Sequence, residues 1–263
     1  MAEVLKYPKR LIEVDLPIKE ISAHARREKS IRHGHISTLH MWWARRPLAS
    51  CRAVLCASLW PDPGDSLCPN AFLVAAREEM HLWSTEHIHC ASGESLEWFL
   101  SIQRAPERLD DPSALRKSLL HFVADFANWD NAKNPEFVGL ARRITGAAHS
   151  ALGGDQGARP IVIDPFAGGG AIPLEALRVG ADAFASDLNP VAVLLNKVIL
   201  EYLPKYGQGL ADNIRTWGGW VGQRAEAELG RFYPRDEERG SPSAYLWART
   251  IHCEGPGCGA EVP

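Results

Sequence analysis

A glycine-rich segment followed by a distant aspartate is the part of this sequence best suited to chemistry. The segment lies between a predicted strand and a predicted helix and consists of Asp164, Pro165, Phe166, Ala167, Gly168, Gly169 and Gly170. Residues without side chains let the backbone approach a bound cofactor closely. The next predicted strand ends at Asp187, where a carboxylate can accept hydrogen bonds from ribose hydroxyls. The pattern predicts a site for a cofactor that contains a nucleoside.

Three details favour S-adenosylmethionine over a dinucleotide. An acid and an aromatic residue, Asp164 and Phe166, precede the glycines, and a carboxylate suits a cationic ligand better than a pyrophosphate. Pro173 stands where a dinucleotide site holds its third small residue. The second strand runs into short polar groups beside the expected adenosine, in the series Ser186, Asp187, Leu188, Asn189 and Pro190. A dinucleotide site and a glycine turn that binds nothing are the alternatives.

The elements that must position these residues form the start of an α/β sheet. Ile161 to Ile163 is a short apolar run that predicts a buried parallel strand, and the helix from Pro173 to Val179 is ended by Gly180. Ala183 to Ser186 predicts the second strand, and a helix from Pro190 to Leu203 is ended by Pro204. Leu210 to about Leu229 predicts another helix, Asp236 to Gly240 a charged turn, and Ala244 to His252 a strand. The expected fold is therefore a partial Rossmann-like methyltransferase core with an incomplete sheet.

The region before the sheet is expected to be largely helical. Pro69 and Pro135 occupy helix-start positions, and a helix is expected after Pro47. After Asp111 and Pro112, an apolar stripe at helical spacing predicts core residues, namely Leu115, Leu119, Phe122, Val123 and Phe126. The predicted domains are a basic segment at 1–60, a helical region at 61–158, the first half of a methyltransferase domain at 159–243, and the truncated start of a zinc ribbon at 244–263.

Two cysteines near the end of the chain have the context of a metal site. Cys253 and Cys258 enclose Gly and Pro residues, which allow a turn tight enough for two sulfurs to share one zinc ion. Zinc needs four ligands, so this is half a site. Cys51 and Cys56 repeat the spacing, but they lie in a predicted helix that separates the thiols, and they are interpreted as core residues.

The segment from Arg26 to Arg52 is basic and aromatic, with Glu28 as its single acid. Such a mixture can bind phosphates through arginine and stack rings on bases. The candidate nucleic-acid contacts are Arg32, His35, Trp42, Trp43, Arg45 and Arg46. The alternative is a helix whose tryptophans pack inward while its arginines stay in solvent. The histidines of this segment are irregularly spaced and are assigned no metal.

Several blocks of the sequence together resemble a known family. They are residues 29–35, 38–48, 164–196 and 244–250. The chain resembles the adenine-specific DNA methylases that carry the domain of unknown function DUF1156 and an internal zinc ribbon. The resemblance implies a Rossmann-like fold, S-adenosylmethionine as methyl donor, DNA as substrate, and gene clusters linked to phage defence.

One motif of such methyltransferases is absent from the sequence. The motif is Asp or Asn followed by two prolines and an aromatic residue, and it holds the target amino group of an extruded base. The sequence contains no Pro-Pro dipeptide, and Asn189-Pro190-Val191 matches it only superficially. The expected function is thus the cofactor-binding portion of a DNA methyltransferase acting on an exocyclic amine, with a second chain as a candidate source of the rest. The alternative is a non-catalytic cofactor- or nucleic-acid-binding module that works with a partner subunit.

Composition is that of an ordinary globular protein, with 46% hydrophobic and 23% charged residues. The first residues lack the apolar stretch of a signal peptide, and no apolar run approaches the roughly 20 residues of a membrane span. A cytoplasmic protein that does not contact membranes is expected.

Overall fold

The computed structural model describes residues 7–31, 33–155, 157–233, 244 and 248–262. This part of the chain is mostly helical and contains a two-stranded parallel sheet. Contacts within the chain define two units, Met1–Lys205 and Tyr206–Pro263. Among the helices described, none is both long and apolar enough to cross a membrane.

The first unit begins with a helical region. In the described residues, six α-helices precede the first strand: α1 (Ile18–Ser30), α2 (Leu48–Leu59), α3 (Asn70–Glu86), α4 (Gly93–Arg104), α5 (Pro112–Ala127) and α6 (Pro135–Ala151). The helix predicted after Pro47 is therefore confirmed, and so are the helix starts at Pro112 and Pro135. The helix predicted to start at Pro69 begins one residue later, at Asn70, with Pro69 as its N-cap.

Side-chain caps explain two of these helix starts. The Asp111 carboxylate accepts a hydrogen bond from the Ser113 backbone N–H at 3.1 Å, and the Asn134 amide oxygen accepts one from Glu136 at 2.9 Å. Each cap satisfies a backbone donor that the first turn of a helix leaves without a partner. Proline follows both caps at the first helical position, where its missing N–H costs nothing.

The core of the helical region is built on aromatic residues. The rings of Trp83, Phe122 and Phe137 contact one another at centroid distances of 4.7 to 5.4 Å. All five residues of the predicted α5 stripe are buried, which confirms that prediction: Leu115, Leu119, Phe122, Val123 and Phe126. The buried Trp60 indole donates to Thr145 Oγ1 at 3.0 Å, so α2 and α6 are joined by a satisfied polar contact.

The predicted order of strand, turn, helix, strand and helix is confirmed. The elements are β1 (Ile161–Asp164), α7 (Ala171–Val179), β2 (Asp182–Ala185) and α8 (Pro190–Asn196). The two strands run parallel, with Ile161 opposite Asp182 and Asp164 opposite Ala185. Parallel strands need a crossover between them, and α7 supplies it. It ends at Gly180 as predicted.

The prediction that β1 is buried is wrong. Val162 and Ala183 pack against the helical core, but Ile161, Ile163 and Phe184 on the other face are 63%, 62% and 56% exposed. Successive side chains of a strand point to opposite faces, so helices on one side cover only alternate residues. The apolar run correctly predicted the position of β1, but no element among the described residues covers the face that carries Ile161 and Ile163.

The prediction that Pro204 ends a helix is also wrong. A π-helical segment (Lys197–Tyr202) follows α8, and α9 (Leu203–Leu229) continues from it. Pro204 comes directly after the π-helical turns, where the regular α-helical hydrogen-bond pattern is already interrupted. The break falls instead at Gly207, whose φ of 51° and ψ of −134° are not helical.

The second unit holds most of α9 and a short hairpin. Strands β3 (Ile251–His252) and β4 (Glu261–Val262) pair antiparallel. The strand predicted for Ala244 to His252 is therefore seen only at its end. Tyr245, Leu246, Trp247 and the charged turn predicted at 236–240 lie outside the described residues.

Candidate cofactor site at the strand tips

The glycine turn, residues 164–170, meets the end of β2 at the carboxyl edge of the sheet. The Ala167 N–H donates to the Ser186 carbonyl at 3.0 Å, and the Gly168 N–H donates to Asp187 Oδ2 at 2.9 Å. Because β1 and β2 are adjacent and parallel, both strands deliver their following residues to the same edge. The structure therefore brings together the two parts of the predicted cofactor site.

Asp187 is held by backbone donors and remains accessible. Its Oδ1 accepts from the Asn189 N–H at 2.8 Å, while Oδ2 accepts from Gly168. These backbone hydrogen bonds, from Asn189 first and Gly168 second, lower the pKa of Asp187, so the carboxylate is ionised at neutral pH. A carboxylate oxygen can accept a second hydrogen bond, so Asp187 can still bind hydroxyl groups. The Asn189 side chain caps α8 by accepting from Val191 at 2.9 Å.

Two apolar side chains of the predicted set project from the strand tips. Phe166 is 80% exposed and Leu188 is 96% exposed, on the turns that follow β1 and β2. Asp164 Oδ1 accepts from the Phe166 N–H at 3.1 Å and so shapes the first of these turns. A cleft of about 300 Å³ runs from Ser186 and Asp187 along β2 to Lys197. The tips thus combine an ionised acid, accessible apolar groups and open space.

Trp42 packs directly on the glycine turn, which the sequence did not reveal. A Cβ atom on Gly168, whose φ is +49°, would lie 2.5 Å from Trp42 Nε1, and one on Gly169 would lie 3.4 Å from Trp42 Cβ. Residue 168 must therefore be glycine both for its backbone conformation and for the space that the indole occupies. No local motif in the sequence indicates this contact, since 126 positions separate the two residues. Trp42 was expected at a nucleic-acid surface.

Asn196 is a second residue that sequence reasoning missed. Its Nδ2 donates to the Gly168 carbonyl at 3.0 Å and to the Ala192 carbonyl at 2.8 Å. A Cβ on Gly170, with φ of +77°, would lie 2.9 Å from Asn196 Oδ1. Asn196 is buried at the end of α8, immediately before the π-helical segment, a type of irregularity that is frequent at functional sites. It fixes the glycine turn from the side of α8.

Glu28 holds the base of the loop that carries Trp42, here called the Trp42 loop (residues 33–47). Its carboxylate is buried and accepts from the backbone N–H groups of Leu48 at 2.9 Å and Ala49 at 3.0 Å. These are the first donors of α2, where a negative charge is stabilised by the helix dipole. The signal in the sequence was the presence of one acid in an otherwise basic segment.

A buried ion pair joins α2 to α7. Arg52 Nε donates to Glu175 Oε2 at 2.7 Å, and both side chains are almost fully buried. Arg52 also donates to the carbonyls of Phe126 and Asn128 at the end of α5, and Arg178 pairs with the other side of Glu175. The helix that begins at the glycine turn is thereby anchored to the helical region.

The predicted nucleic-acid residues separate into different environments. Trp43 is 95% exposed and Arg46 is also exposed. Arg45 is half-buried and donates to the Glu28 carbonyl at 3.5 Å. Arg32 lies outside the described residues.

His35, another residue of that set, is enclosed by its neighbours. Its side chain is buried, its ring stacks on Trp129 with 3.8 Å between centroids, and Nε2 lies 3.3 Å from Glu28 Oε1. Burial lowers the pKa of His35, although the Glu28 carboxylate opposes the shift. These contacts with Trp129 and Glu28 indicate that His35 supports the Trp42 loop.

The cysteine pair of the second unit forms a tight knuckle. The Cys253 N–H donates to the Ala260 carbonyl at 2.8 Å, and the Cys258 N–H donates to the Gly255 carbonyl at 3.0 Å. Hydrogen bonds from the Ala260 backbone and then from the Cys253 side chain lower the pKa of the exposed Cys258 thiol. Among the described residues, no group of three or more His, Cys, Asp or Glu side chains is arranged to hold a metal ion. Cys51 and Cys56 are both buried in α2, as the sequence predicted.

Residues 15–84 match a known family, described as "Protein of unknown function (DUF1156)". The chain therefore carries a DUF1156 segment. The segment contains α1, the Trp42 loop, α2 and most of α3. No curated protein and no solved structure matches the chain.

Proposed function

We propose that this chain is the S-adenosylmethionine-binding portion of a DNA methyltransferase that acts on an exocyclic base amine, that of adenine. The observation that carries the proposal is the contact between Gly168 and Asp187, at 2.9 Å, on the carboxyl edge of a parallel strand pair. Ligands of open α/β sheets bind at this edge. The order of strand, glycine turn, helix and acid-tipped strand supports a nucleoside ligand.

The residues present fit the sugar end of such a ligand best. Asp187 is partly exposed and ionised, so it would accept hydrogen bonds from the ribose hydroxyls. Asp164 would attract the positive charge of the donor, and Phe166 and Leu188 would shield it from water. Trp42 covers Gly168 and Gly169 on one side, so the ligand would lie on the open side of the turn. When bound, S-adenosylmethionine supplies an activated methyl group, and the chain's part is to orient the donor and exclude water.

The exposed sheet face supports a larger Rossmann-like sheet. Ile161, Ile163 and Phe184 lie on a face that parallel sheets normally cover with helices. We infer that further strands and helices complete this layer, and a second chain that supplies the rest of the methyltransferase domain is one source of them. Cys253 and Cys258 would give two of the four ligands of a structural zinc ion, with the other two from outside the described residues.

Nucleic acid would be contacted by the exposed part of the Trp42 loop. Trp43 and Arg46 present a ring and a guanidinium to solvent, next to the residue that packs on the glycine turn. A ring of this kind can stack on any base, and arginine neutralises a phosphate. This surface would bring DNA near the cofactor.

Calorimetric titration with S-adenosylmethionine tests the cofactor assignment. We expect saturable binding, weakened about tenfold or more by Asp187→Ala, since the variant loses the charged acceptor for the ribose hydroxyls. Asp182→Ala is the matched control, because Asp182 is an exposed acid at the opposite end of the same strand. It should leave the affinity within about twofold. No heat from the parent protein, or equal losses in both variants, would refute the assignment.

Binding of a fluorescent adenine-containing oligonucleotide tests the nucleic-acid surface. Trp43→Ala should weaken binding to the single strand about fivefold or more, the effect of losing one stacked base. Trp217 is similarly exposed on α9, so Trp217→Ala is the control and should have little effect. Equal affinities for all three proteins would exclude Trp43 as a base contact.

A non-catalytic module that works with a partner subunit is the second candidate function. It is favoured by the lack of a Pro-Pro motif in the sequence and by Asn189, whose side chain is used to cap α8. A methylation assay with labelled donor, with and without candidate partner chains, separates the two functions. Activity of the chain alone would exclude the module.

A further inference from the structure

A groove far from the glycine turn in sequence lies among α1, α4 and α5 of the helical region. It has a volume of about 580 Å³, within the range of small-molecule sites, and its apolar floor includes Pro17, Leu120 and Ala124. Neither the glycine turn nor the Trp42 loop contributes to it. The proposed methyltransferase function therefore does not account for it.

The groove contains a buried carboxylate that lacks a full set of partners. Asp125 is 6% exposed; its Oδ1 accepts from Ser92 Oγ at 2.8 Å, but the buried Oδ2 has no hydrogen-bond partner among the described residues. Burial raises the pKa of Asp125 to about 6, and the nearby hydroxyls of Ser92 and Ser95 only partly oppose this. A buried carboxylate without a counter-charge is costly, and such groups concentrate at functional sites.

The charges around Asp125 favour a cationic ligand. Asp15, Glu20 and Glu94 also line the groove. Its two permanent cations are engaged: Arg116 donates to both oxygens of Asp62 at 2.6 and 2.7 Å, and Lys117 Nζ lies 4.2 Å from the centre of the Trp98 ring. Four acids thus line the groove together with two permanent cations, both of which have other partners.

Two histidines complete the lining without adding positive charge at neutral pH. Burial lowers the pKa of both His24 and His121. His121 Nδ1 lies 3.2 Å from Ser95 Oγ, within hydrogen-bond distance of that hydroxyl. The groove consequently keeps its negative character at neutral pH.

We propose that this groove binds a linear aliphatic amine with two or more ammonium groups. One ammonium group would give Asp125 the counter-charge that it lacks, and Glu94 and Glu20 would bind another. The methylene chain between the ammonium groups would lie on Leu120 and Ala124. A monovalent metal ion or a neutral diol offers only part of this complementarity.

Calorimetric titration of the whole chain, freed of nucleic acid, with spermidine tests the proposal. We expect saturable binding that Asp125→Asn weakens at least about tenfold and Glu94→Gln about threefold or more, the losses for one buried and one exposed ion pair. Glu78→Gln, which removes an exposed acid from α3 outside the groove, is the control and should bind as the parent does.

Glu94→Gln keeps the proposal testable if Asp125→Asn fails to fold, since Glu94 is exposed and its substitution leaves the core intact. 1,6-Hexanediol should give no saturable heat, and sodium chloride at equal ionic strength should not compete beyond general screening. No saturable binding by the parent, or the same loss in Glu78→Gln as in Glu94→Gln, would overturn the proposal. S-adenosylmethionine binding, measured on the same proteins, reports separately on the strand-tip site.

Discussion

The helical region and the strand pair of the first unit bury their large apolar side chains to very different extents. Phe122 and Phe137 of the helical region are fully buried, whereas Ile161, Ile163 and Phe184 of the sheet are more than half exposed. The helices α1 to α6 thus enclose a core of their own, while the sheet has a core on one face only. The difference indicates that, among the described residues, the helical region contributes more of the apolar burial that stabilises the fold.

Truncation of one aromatic residue in each region gives the largest contrast. Phe122→Ala should lower the free energy of unfolding by about 3–5 kcal/mol, because it opens a cavity among packed rings. Phe184→Ala should change it by less than about 0.5 kcal/mol, since most of that side chain is already in solvent. Urea unfolding followed by circular dichroism measures both. Similar losses would mean that the sheet face is covered in solution.

Breaking the Arg52–Glu175 ion pair, which joins the two regions, should have the next largest effect on the free energy of unfolding. Arg52→Met leaves Glu175 buried with Arg178 as its remaining partner, and we expect a loss of about 3–4 kcal/mol in urea unfolding. Arg27→Met removes an exposed pair with Asp130 and should cost less than about 1 kcal/mol. Equal losses of unfolding free energy in the two variants would show that the buried pair does not hold the two regions together.

The buried acid of the helical region, Asp125, should make stability depend on pH. The pKa of Asp125 is raised from 3.8 to about 6, so the folded state keeps this proton to higher pH than the unfolded state. Its contribution to stability is therefore present at low pH and is lost as pH rises from about 4 to about 6, by at most about 3 kcal/mol. Asp125→Asn should remove this loss.

The measurement compares parent and variant by urea unfolding at each pH. The lowered pKa values of His24 and His121 act in the other direction, because they reduce stability as pH falls through 6.5. These contributions cancel in the difference between the two proteins. A difference that does not change between pH 4 and pH 6 would exclude the raised pKa.

The smallest effect is expected at the glycine turn. Gly168→Ala combines a left-handed backbone with a Cβ that meets Trp42, and should cost about 2 kcal/mol. Gly153→Ala has a comparable positive φ of +89° but open space around the Cβ, and should cost about 1 kcal/mol. Replacing Trp42 with alanine should reduce the cost at Gly168 toward that at Gly153. An unchanged cost in that background would show that the indole does not restrict the turn.

Local patterns predicted the elements of the fold well. The stripe in α5 and the caps of α5 and α6 lie within a few residues of one another, so their chemistry is readable along the chain. The burial of β1 was predicted wrongly, because burial depends on which other elements cover the strand. The continuation past Pro204 was missed for a related reason, since the π-helical segment before it has no local signature.

In the candidate site, too, contacts between neighbouring elements were predictable from the sequence, whereas contacts between distant elements were not. The glycine turn and Asp187 follow successive strands, so parallel pairing brings them together and the sequence could anticipate it. Trp42 and Asn196 reach the turn from separate elements, and only the folded chain reveals their contacts with Gly168. Glu28 stood out as a lone acid, but its role as the cap of α2 required the structure.

The hydrogen bond from the Leu48 N–H to the Glu28 carboxylate joins the two ends of the stretch from residue 28 to residue 48. Within that stretch, Trp42 packs on the glycine turn. Both attachments fix the number of residues between them. One added or deleted residue at positions 39–41 would leave the closure at Glu28 intact, because lengthening a loop costs little entropy. It would nevertheless move the indole off Gly168 and rotate Trp43 away from its present direction, so this stretch should tolerate changes of residue type more readily than changes of length.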